Sequence, residues 1–366
     1  MIFCLDARTA TDHFPGIGRY VSNLSQAMAE HLTGDEQLLL IRDPATPTRW
    51  QLPPPQPGRV TVFDAAVSPF GLPQQRLIPR YLRDQQVGVY HSPYYLMPYW
   101  PGVPTVVTIY DLIPQHYPKY VSVRARLLFR VMTTLAMRAA SHIVVISEAT
   151  RRDLLAAYDH LPPERVTAIP LAPAPSFRPQ PTEETARVRQ KYTLPESFVL
   201  YVGINKPHKN LVRLLDAWKQ IETESTLVIA GAWDARYPEA KDHAGLLRLD
   251  SVRFLGPIDD GDLPALYAAA TVFVFPSMYE GFGLPVIEAM ACGTAVACAN
   301  TSSLPEAAGD AGLLFDPTHP GAIASALERL LADESLRMGM QNRGIAQAKK
   351  FTWARTAKAA LNVYRA

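Results

Sequence analysis

The stretch MYEGFGLPVIEAMACG, residues 278–293, sets two carboxylates among glycines and a proline, directly after the apolar run TVFVFPS. An apolar run followed by Gly281, Gly283 and Pro285 predicts strand, turn and helix. Glycine lets the backbone approach a ligand closely, and proline suits the first helical turn. A helix N-terminus presents unpaired amides and the positive end of its dipole, so a phosphorylated ligand fits this turn. Glu280 opens the turn and Glu288 lies inside the helix, where paired carboxylates suit a hydroxyl-rich ligand. Taken alone, the same two residues read equally well as a helix cap and a solvated helix position.

A cationic turn follows another apolar run in YVGINKPHKNL, residues 201–211. An ammonium fixed at Lys209 would stabilise a departing diphosphate more in the transition state than in the ground state, because negative charge grows as the bond breaks. Lys206 is the second cation of the turn, and His208 between them reads as exposed; plain surface charge is the competing reading of both lysines. In PGIGRY, residues 15–20, Gly16 and Gly18 fall between a predicted strand and helix, but the third glycine of a dinucleotide fingerprint is Val21, which disfavours a nicotinamide dehydrogenase. Arg19 beside them suits a phosphate, an anionic acceptor or a plain helix surface. Asp260 and Asp262 spell a DxD metal pattern, although Asp262 immediately before LPALYAAA is more simply a helix N-cap. No other Asp, Glu and His cluster has ligand spacing, so neither an obligatory metal nor another cofactor is expected.

Taken in order, these motifs resemble the family-4 retaining glycosyltransferases, whose hallmark is a pair of Glu separated by seven residues, here Glu280 and Glu288 in EGFGLPVIE. The resemblance runs through PGIGRY, PTVVTIYDLIP (104–114), VVISEATRRDL (144–154), YVGINKPHKNL and NTSSLPEAAGDAGLLFDP (300–317). It implies an α/β chain of GT-B architecture, two Rossmann-like domains with parallel sheets facing a central cleft. It also implies that Glu280 contacts hydroxyls of the donor sugar, that Glu288 holds the ribose, and that the amides of Phe282, Gly283 and Leu284 face sugar and phosphates. Lys209 matches the family lysine on the leaving phosphate, and Gly16 and Gly18 match a loop under the diphosphate and beside the acceptor. Two positions depart from the pattern. Ile204 stands where many relatives carry Arg, leaving Lys206 as a substitute cation, and Tyr110 replaces the His that usually precedes Asp111. A phenol with a reference pKa of ~10 donates a hydrogen bond at neutral pH and is not a general base there; the leaving phosphate can assist deprotonation of the acceptor instead.

The series looks most like mannosyltransferases of bacterial surface-polysaccharide assembly. That implies transfer of a hexose from GDP-mannose to a hydroxyl of a saccharide or lipid-linked glycan. Transfer from UDP-glucose is the alternative, and a phosphorylase or epimerase on a related scaffold is a rival within catalysis. A sugar-nucleotide-binding subunit without chemistry is the rival that Ile204 and Tyr110 keep open.

The elements that must position these groups are legible as alternation. Apolar runs such as IFCL, LLLI, PTVVTIYD, HIVVIS and RVTAIP alternate with helical periodicity over 19–32, 122–140 and 148–158, and the pattern restarts after residue 195. The expected organisation is a domain over 1–172, a nucleotide-sugar domain over 173–350 and a C-terminal helix over 351–366 packing back across them. The proline-rich segment 169–181 is the hinge candidate, and 44–57 reads as a surface loop. With 36 Lys and Arg against 34 Asp and Glu, no like-charge block marks a nucleic-acid surface. Cys4, Cys292 and Cys298 form neither a disulfide framework nor a zinc set. With no leader pattern and no apolar run near ~20 residues, a cytoplasmic protein is expected. The helix over 122–140 carries Arg124, Arg126, Arg130 and Arg138 on an apolar background. It suits either peripheral contact with anionic lipid or core packing with extended arginines. His91 in YHSPYY is either an acceptor-side residue or a structural one.

Overall fold

The computed structural model describes residues 1–46, 48–118 and 121–366. Its chain divides into two compact units, Met1–Leu171 together with Thr352–Ala366, and Ala172–Phe351. In the first unit β1 (Ile2–Asp6), α1 (Pro15–His31), β2 (Gln37–Arg42), β3 (Val60–Asp64), α2 (Gln74–Asp84), β4 (Val89–Ser92) and β5 (Thr105–Ile109) follow one another. They lead into α3 (Ile113–His116), α4 (Val123–Ala139), β6 (His142–Val145), α5 (Glu148–Ala157) and β7 (Val166–Ala168). The strands form one parallel sheet in the order β3-β2-β1-β4-β5-β6-β7. Its central strands are continuous apolar runs because helices cover both faces; β5, TVVTI, is buried along its whole length.

The second unit repeats the plan with α6 (Thr182–Lys191), β8 (Phe198–Val202), α7 (Leu211–Trp218), β9 (Thr226–Ala230), α8 (Glu239–Leu246), β10 (Val252–Gly256) and α9 (Leu263–Ala269). It closes with β11 (Val272–Phe275), α10 (Leu284–Ala291), β12 (Ala295–Ala299), α11 (Leu304–Ala308), β13 (Gly312–Phe315), α12 (Pro320–Ala332) and α13 (Glu334–Ala348). Its parallel sheet runs β10-β9-β8-β11-β12-β13, the doubly wound order in which the chain direction across the sheet reverses between β8 and β11. Open α/β sheets bind ligands outside the carboxyl ends of the strands at that reversal. The proline-rich span 169–181 carries neither helix nor strand.

The last helix, α14 (Trp353–Arg365), belongs to the first unit. Thr352 caps it by accepting from the Arg355 amide. Trp353, Ala357, Ala360, Leu361 and Tyr364 form its buried stripe, and the Tyr364 ring meets Phe3 of β1 at 5.4 Å.

The corner after β1 corrects one expectation. α1 begins at Pro15, so Gly16 and Gly18 lie in its first turn and not in a loop. A Cβ at Gly16 would meet open space, whereas one at Gly18 would fall 2.1 Å from Trp50 Nε1. Gly18 is therefore the seat of an indole. The loop carrying Trp50 is fastened by Thr48 Oγ1 donating to the Ala10 carbonyl at 2.7 Å and by Trp50 Nε1 donating to that of Thr11 at 3.3 Å. Pro47 of the same proline-rich stretch lies outside the described residues. Gly18→Ala is expected to destabilise the protein by about 1–3 kcal/mol through overpacking, against the ~1 kcal/mol that Ala normally gains over Gly inside a helix. Adding Trp50→Ala should abolish the penalty. Thermal unfolding of the single and double variants measures this coupling, and a raised midpoint for Gly18→Ala alone would contradict it.

Candidate functional site

Two loops meet where the second sheet reverses. One leaves β8 and passes through the single turn Pro207–Lys209 into α7; the other leaves β11 and enters α10. They are joined at the backbone, where the Met278 amide donates to the His208 carbonyl at 2.8 Å. They are joined again by side chains: Lys209 Nζ donates to Glu280 Oε1 at 2.7 Å, with Nζ 5.2 Å from the centroid of the Phe275 ring. The side chains of Lys209 and Glu280 are only 15% and 11% exposed. The carboxylate offsets much of the ammonium's charge, and the aromatic face and low exposure of both side chains limit solvent screening of the contact.

Local geometry fixes each partner. Asn210 takes the left-handed region at φ 63°, and its Nδ2 donates to the carbonyls of Pro276 at 3.0 Å and Pro317 at 2.8 Å. Lys209 is thereby held against the ends of two other strands. The Glu280 carbonyl accepts from Ser302 Oγ at 2.6 Å and Ser303 Oγ at 2.9 Å, and the Glu280 amide donates to Ser302 Oγ at 3.2 Å. Gly283, the residue before α10, has φ 97°, and a Cβ there would lie 2.6 Å from Leu304 Cδ2. The turn thus needs glycine both for its backbone conformation and for its packing.

The other expected residues sit in different surroundings. Phe282 is buried with its ring against Phe351 at 5.6 Å, and Leu284 is the first residue of α10. Lys206 is exposed on the turn that carries Lys209. Glu288 is not a solvated helix position: it is 2% exposed, and its Oε2 accepts from the Tyr267 hydroxyl at 3.3 Å. His208 is not exposed either. Burial, helped by Lys209 and Lys206, lowers its pKa to about 3, so it is neutral near pH 7. Asp262 occupies the N-cap position of α9 without capping it. Its carboxylate instead accepts from Arg187 at 2.7 Å, Lys191 at 2.6 Å and Tyr192 at 2.8 Å. These outweigh the effect of burial and hold its pKa down to about 2. It is consumed by α6. Among the described residues no group of three or more His, Cys, Asp or Glu could hold a metal ion.

In the first unit Tyr110 and Asp111 follow β5 and line one cavity of about 160 Å³ with Tyr94, Tyr95, Thr108 and Phe129. The Tyr110 hydroxyl is buried without a hydrogen-bond partner among the described residues. Burial, with Tyr20 and Tyr94 nearby, pushes its pKa well up, so it is a proton donor only. Asp111 Oδ1 accepts from the Ile113 amide at 2.9 Å, which starts α3. His91 is the structural residue of the two readings: fully buried, it pairs with Tyr364 and, through Nε2, with Thr108 Oγ1 at 2.7 Å. Burial lowers its pKa to about 3.

Sequence reasoning missed Phe275, Asn210, Ser302 and Ser303. The two serines had a signal, as short polar residues in the NTSSLPE run directly after an apolar strand, and Phe275 ends the apolar run TVFVF.

Residues 183–347 match the family described as Glycosyl transferases group 1, and residues 15–172 match Glycosyltransferase Family 4. The O-antigen chain mannosyltransferase B of Escherichia coli is 35% identical over 295 residues, covering 78% of this chain and 76% of that protein. Sucrose-phosphate synthase from Thermosynechococcus elongatus superposes with a TM-score of 0.74 at 25% identity, covering 100% of this chain and 98% of its own. HepE from Anabaena, solved in complex with UDP and glucose, gives a TM-score of 0.76 at 18% identity over 99% of both chains, a likeness of fold.

The buried histidines make stability depend on pH. An unfolded histidine takes up a proton near 6.5, whereas folded His208 does so only at about 3. Acidification therefore favours the unfolded chain. Below pH ~6.5 each such residue is expected to cost about 1.4 kcal/mol per pH unit. Denaturant unfolding of the parent and His208→Asn at neutral and mildly acidic pH should show a shallower loss in the variant, and parallel losses would contradict the buried neutral state.

Proposed function

We propose, from the premise that this chain belongs to the family 4 and group 1 glycosyltransferases, that it moves mannose from GDP-mannose to a hydroxyl of a saccharide or lipid-linked glycan with retention of configuration. The observation that carries this reading is the Lys209–Glu280 pair at the strand-order reversal beside the start of α10. In the proposed step the bond from the sugar C1 to the phosphate oxygen breaks and its electron pair leaves with the diphosphate. Lys209 and the amides of Phe282, Gly283 and Leu284 stabilise that growing charge. Glu280 accepts hydrogen bonds from sugar hydroxyls, and Glu288 turns to the ribose at the expense of its Tyr267 contact. The acceptor oxygen bonds to C1 on the face the phosphate leaves, and its proton passes to a phosphate oxygen. In the first unit Tyr110, whose hydroxyl has no hydrogen-bond partner among the described residues, offers a hydrogen-bond donor beside Asp111.

Mannose is supported by the O-antigen mannosyltransferase likeness, and UDP-glucose is the second donor by the fold likeness to a UDP and glucose complex. No obligatory metal is needed where an ammonium and amides neutralise the leaving group. Three buried thiols suit the reducing cytoplasm. Thermal shift across a nucleotide-sugar panel should favour GDP-mannose, since a ligand at 100 times its Kd stabilises by about 2.7 kcal/mol. Transfer should yield the retained anomer by proton NMR, and Glu280→Ala should lose it. Donor binding without turnover over a broad acceptor panel would make this chain a binding subunit instead.

A further inference from the structure

The strand-order reversal of the second sheet has a counterpart in the first. The order β3-β2-β1-β4-β5-β6-β7 turns between β1 and β4, so a ligand crevice belongs at the carboxyl ends of those strands. The loops there carry a row of aromatic rings. Phe14, directly before α1, lies 5.9 Å from Phe70 of the loop after β3 and 5.3 Å from Tyr94 of the loop after β4. Tyr94 continues to Tyr95 at 4.2 Å, and Tyr95 meets Phe129 edge-on at 5.1 Å. The row begins on the surface, where Phe70 is 55% exposed. It ends at the Tyr110 cavity, which Tyr94, Tyr95 and Phe129 line.

The cavity has room for one ring and offers partners for hydroxyls. A cavity of about 150 Å³ accepts a single benzene-sized ring, so one of about 160 Å³ takes one sugar and not two. Tyr110 brings a buried hydroxyl with no hydrogen-bond partner among the described residues, a deficit that a ligand oxygen would repair. Asp111 beside it is a carboxylate, a group that accepts from several donors. Among the described residues no Lys, Arg or His lines the cavity, and Arg8, directly after β1, is buried against Asp6 at 2.6 Å. A phosphate in the cavity would meet a carboxylate and no cation, which disfavours an anionic ligand. The face of an aromatic ring carries negative charge and attracts the C–H bonds of a sugar face, and the row outside the cavity supplies such faces.

We infer that this crevice is a two-subsite binding site for an uncharged oligosaccharide. The terminal sugar enters the Tyr110 cavity, accepting from the Tyr110 hydroxyl and donating to Asp111, and the next sugar lies on the ledge formed by Phe14 and Phe70. The inference deepens the proposed function and rests on its reading of the acceptor as a saccharide. It restricts that acceptor to a neutral chain of at least two sugars and makes Phe70 the residue that senses its length.

Binding to the full chain is to be measured without donor, by NMR titration with methyl glycosides of mannose, glucose and galactose, with the corresponding disaccharides and with mannose 6-phosphate. At least one disaccharide should bind about tenfold tighter than its own monosaccharide, and mannose 6-phosphate no tighter than methyl mannoside. Phe70→Ala should cut the disaccharide's advantage to about threefold or less. Its ring is exposed, so an unchanged unfolding midpoint serves as the folding control. Tyr110→Phe should weaken both lengths alike by about fivefold with the midpoint unchanged or raised, because a buried hydroxyl without a partner is removed. Equal affinity for one sugar and two, tighter binding of the phosphorylated sugar, or affinities indifferent to both variants would overturn the inference. Length-dependent binding by a chain that transfers nothing would uphold it and count against the proposed reaction, whereas transfer to one sugar and two with equal KM would do the reverse.

Discussion

The second unit is organised around one largely buried ion pair, Lys209 with Glu280. Burying a lone Lys charge is costly, and a carboxylate at hydrogen-bond distance offsets that cost only when both partners are held in good geometry. The Lys209–Glu280 contact meets the requirement because its partners come from loops after β8 and β11, on either side of the strand-order reversal. A doubly wound sheet creates a crevice there. The pair supplies it with an ammonium and a carboxylate held side by side, and the first turn of α10 supplies oriented amides. In the proposed reaction an anion entering the crevice would meet dipoles already in place, which would leave little reorganisation for the moment of bond cleavage.

Much of the surrounding architecture keeps that pair from relaxing. Asn210 and Gly283 occupy backbone conformations with positive φ on the two loops; the Asn210 side chain is tied to the Pro276 and Pro317 carbonyls, and Leu304 leaves no room for a side chain at Gly283. The Ser302 and Ser303 hydroxyls fasten the Glu280 carbonyl, and Lys209 holds its carboxylate. The Phe275 ring under Lys209 comes from the last residue of β11, so the strand that ends at the site also walls it. Even Asp262, which reads in sequence as a cap or a metal ligand, serves this rigidity by tying α9 to α6 through Arg187 and Lys191.

The fold was legible wherever burial forces continuous apolar runs. Strands such as TVVTI and TVFVF stand out because parallel sheets are covered on both faces, and glycine followed by proline marks the entry to α10. What escaped has physical reasons. β3 and β4 are short, with polar residues interrupting them, and α13 is too mixed in polarity for its period to show. The positions of Gly18 and His208 depend on distant partners: an indole 32 positions along the chain decides the first, and burial under the β11 loop decides the second. Spacing shows that two loops carry glutamate, lysine and glycine; it does not show that Lys209 pairs with Glu280 or that Glu288 turns inward to Tyr267.

The steady-state kinetics of Lys209→Ala, with kcat and KM separated, test the central claim most directly. If the ammonium acts on charge that develops as the diphosphate departs, kcat should fall by about 100-fold or more while KM for the donor changes little. A variant whose KM rises with kcat intact would show that Lys209 only binds the donor, and the account given for the site would be wrong.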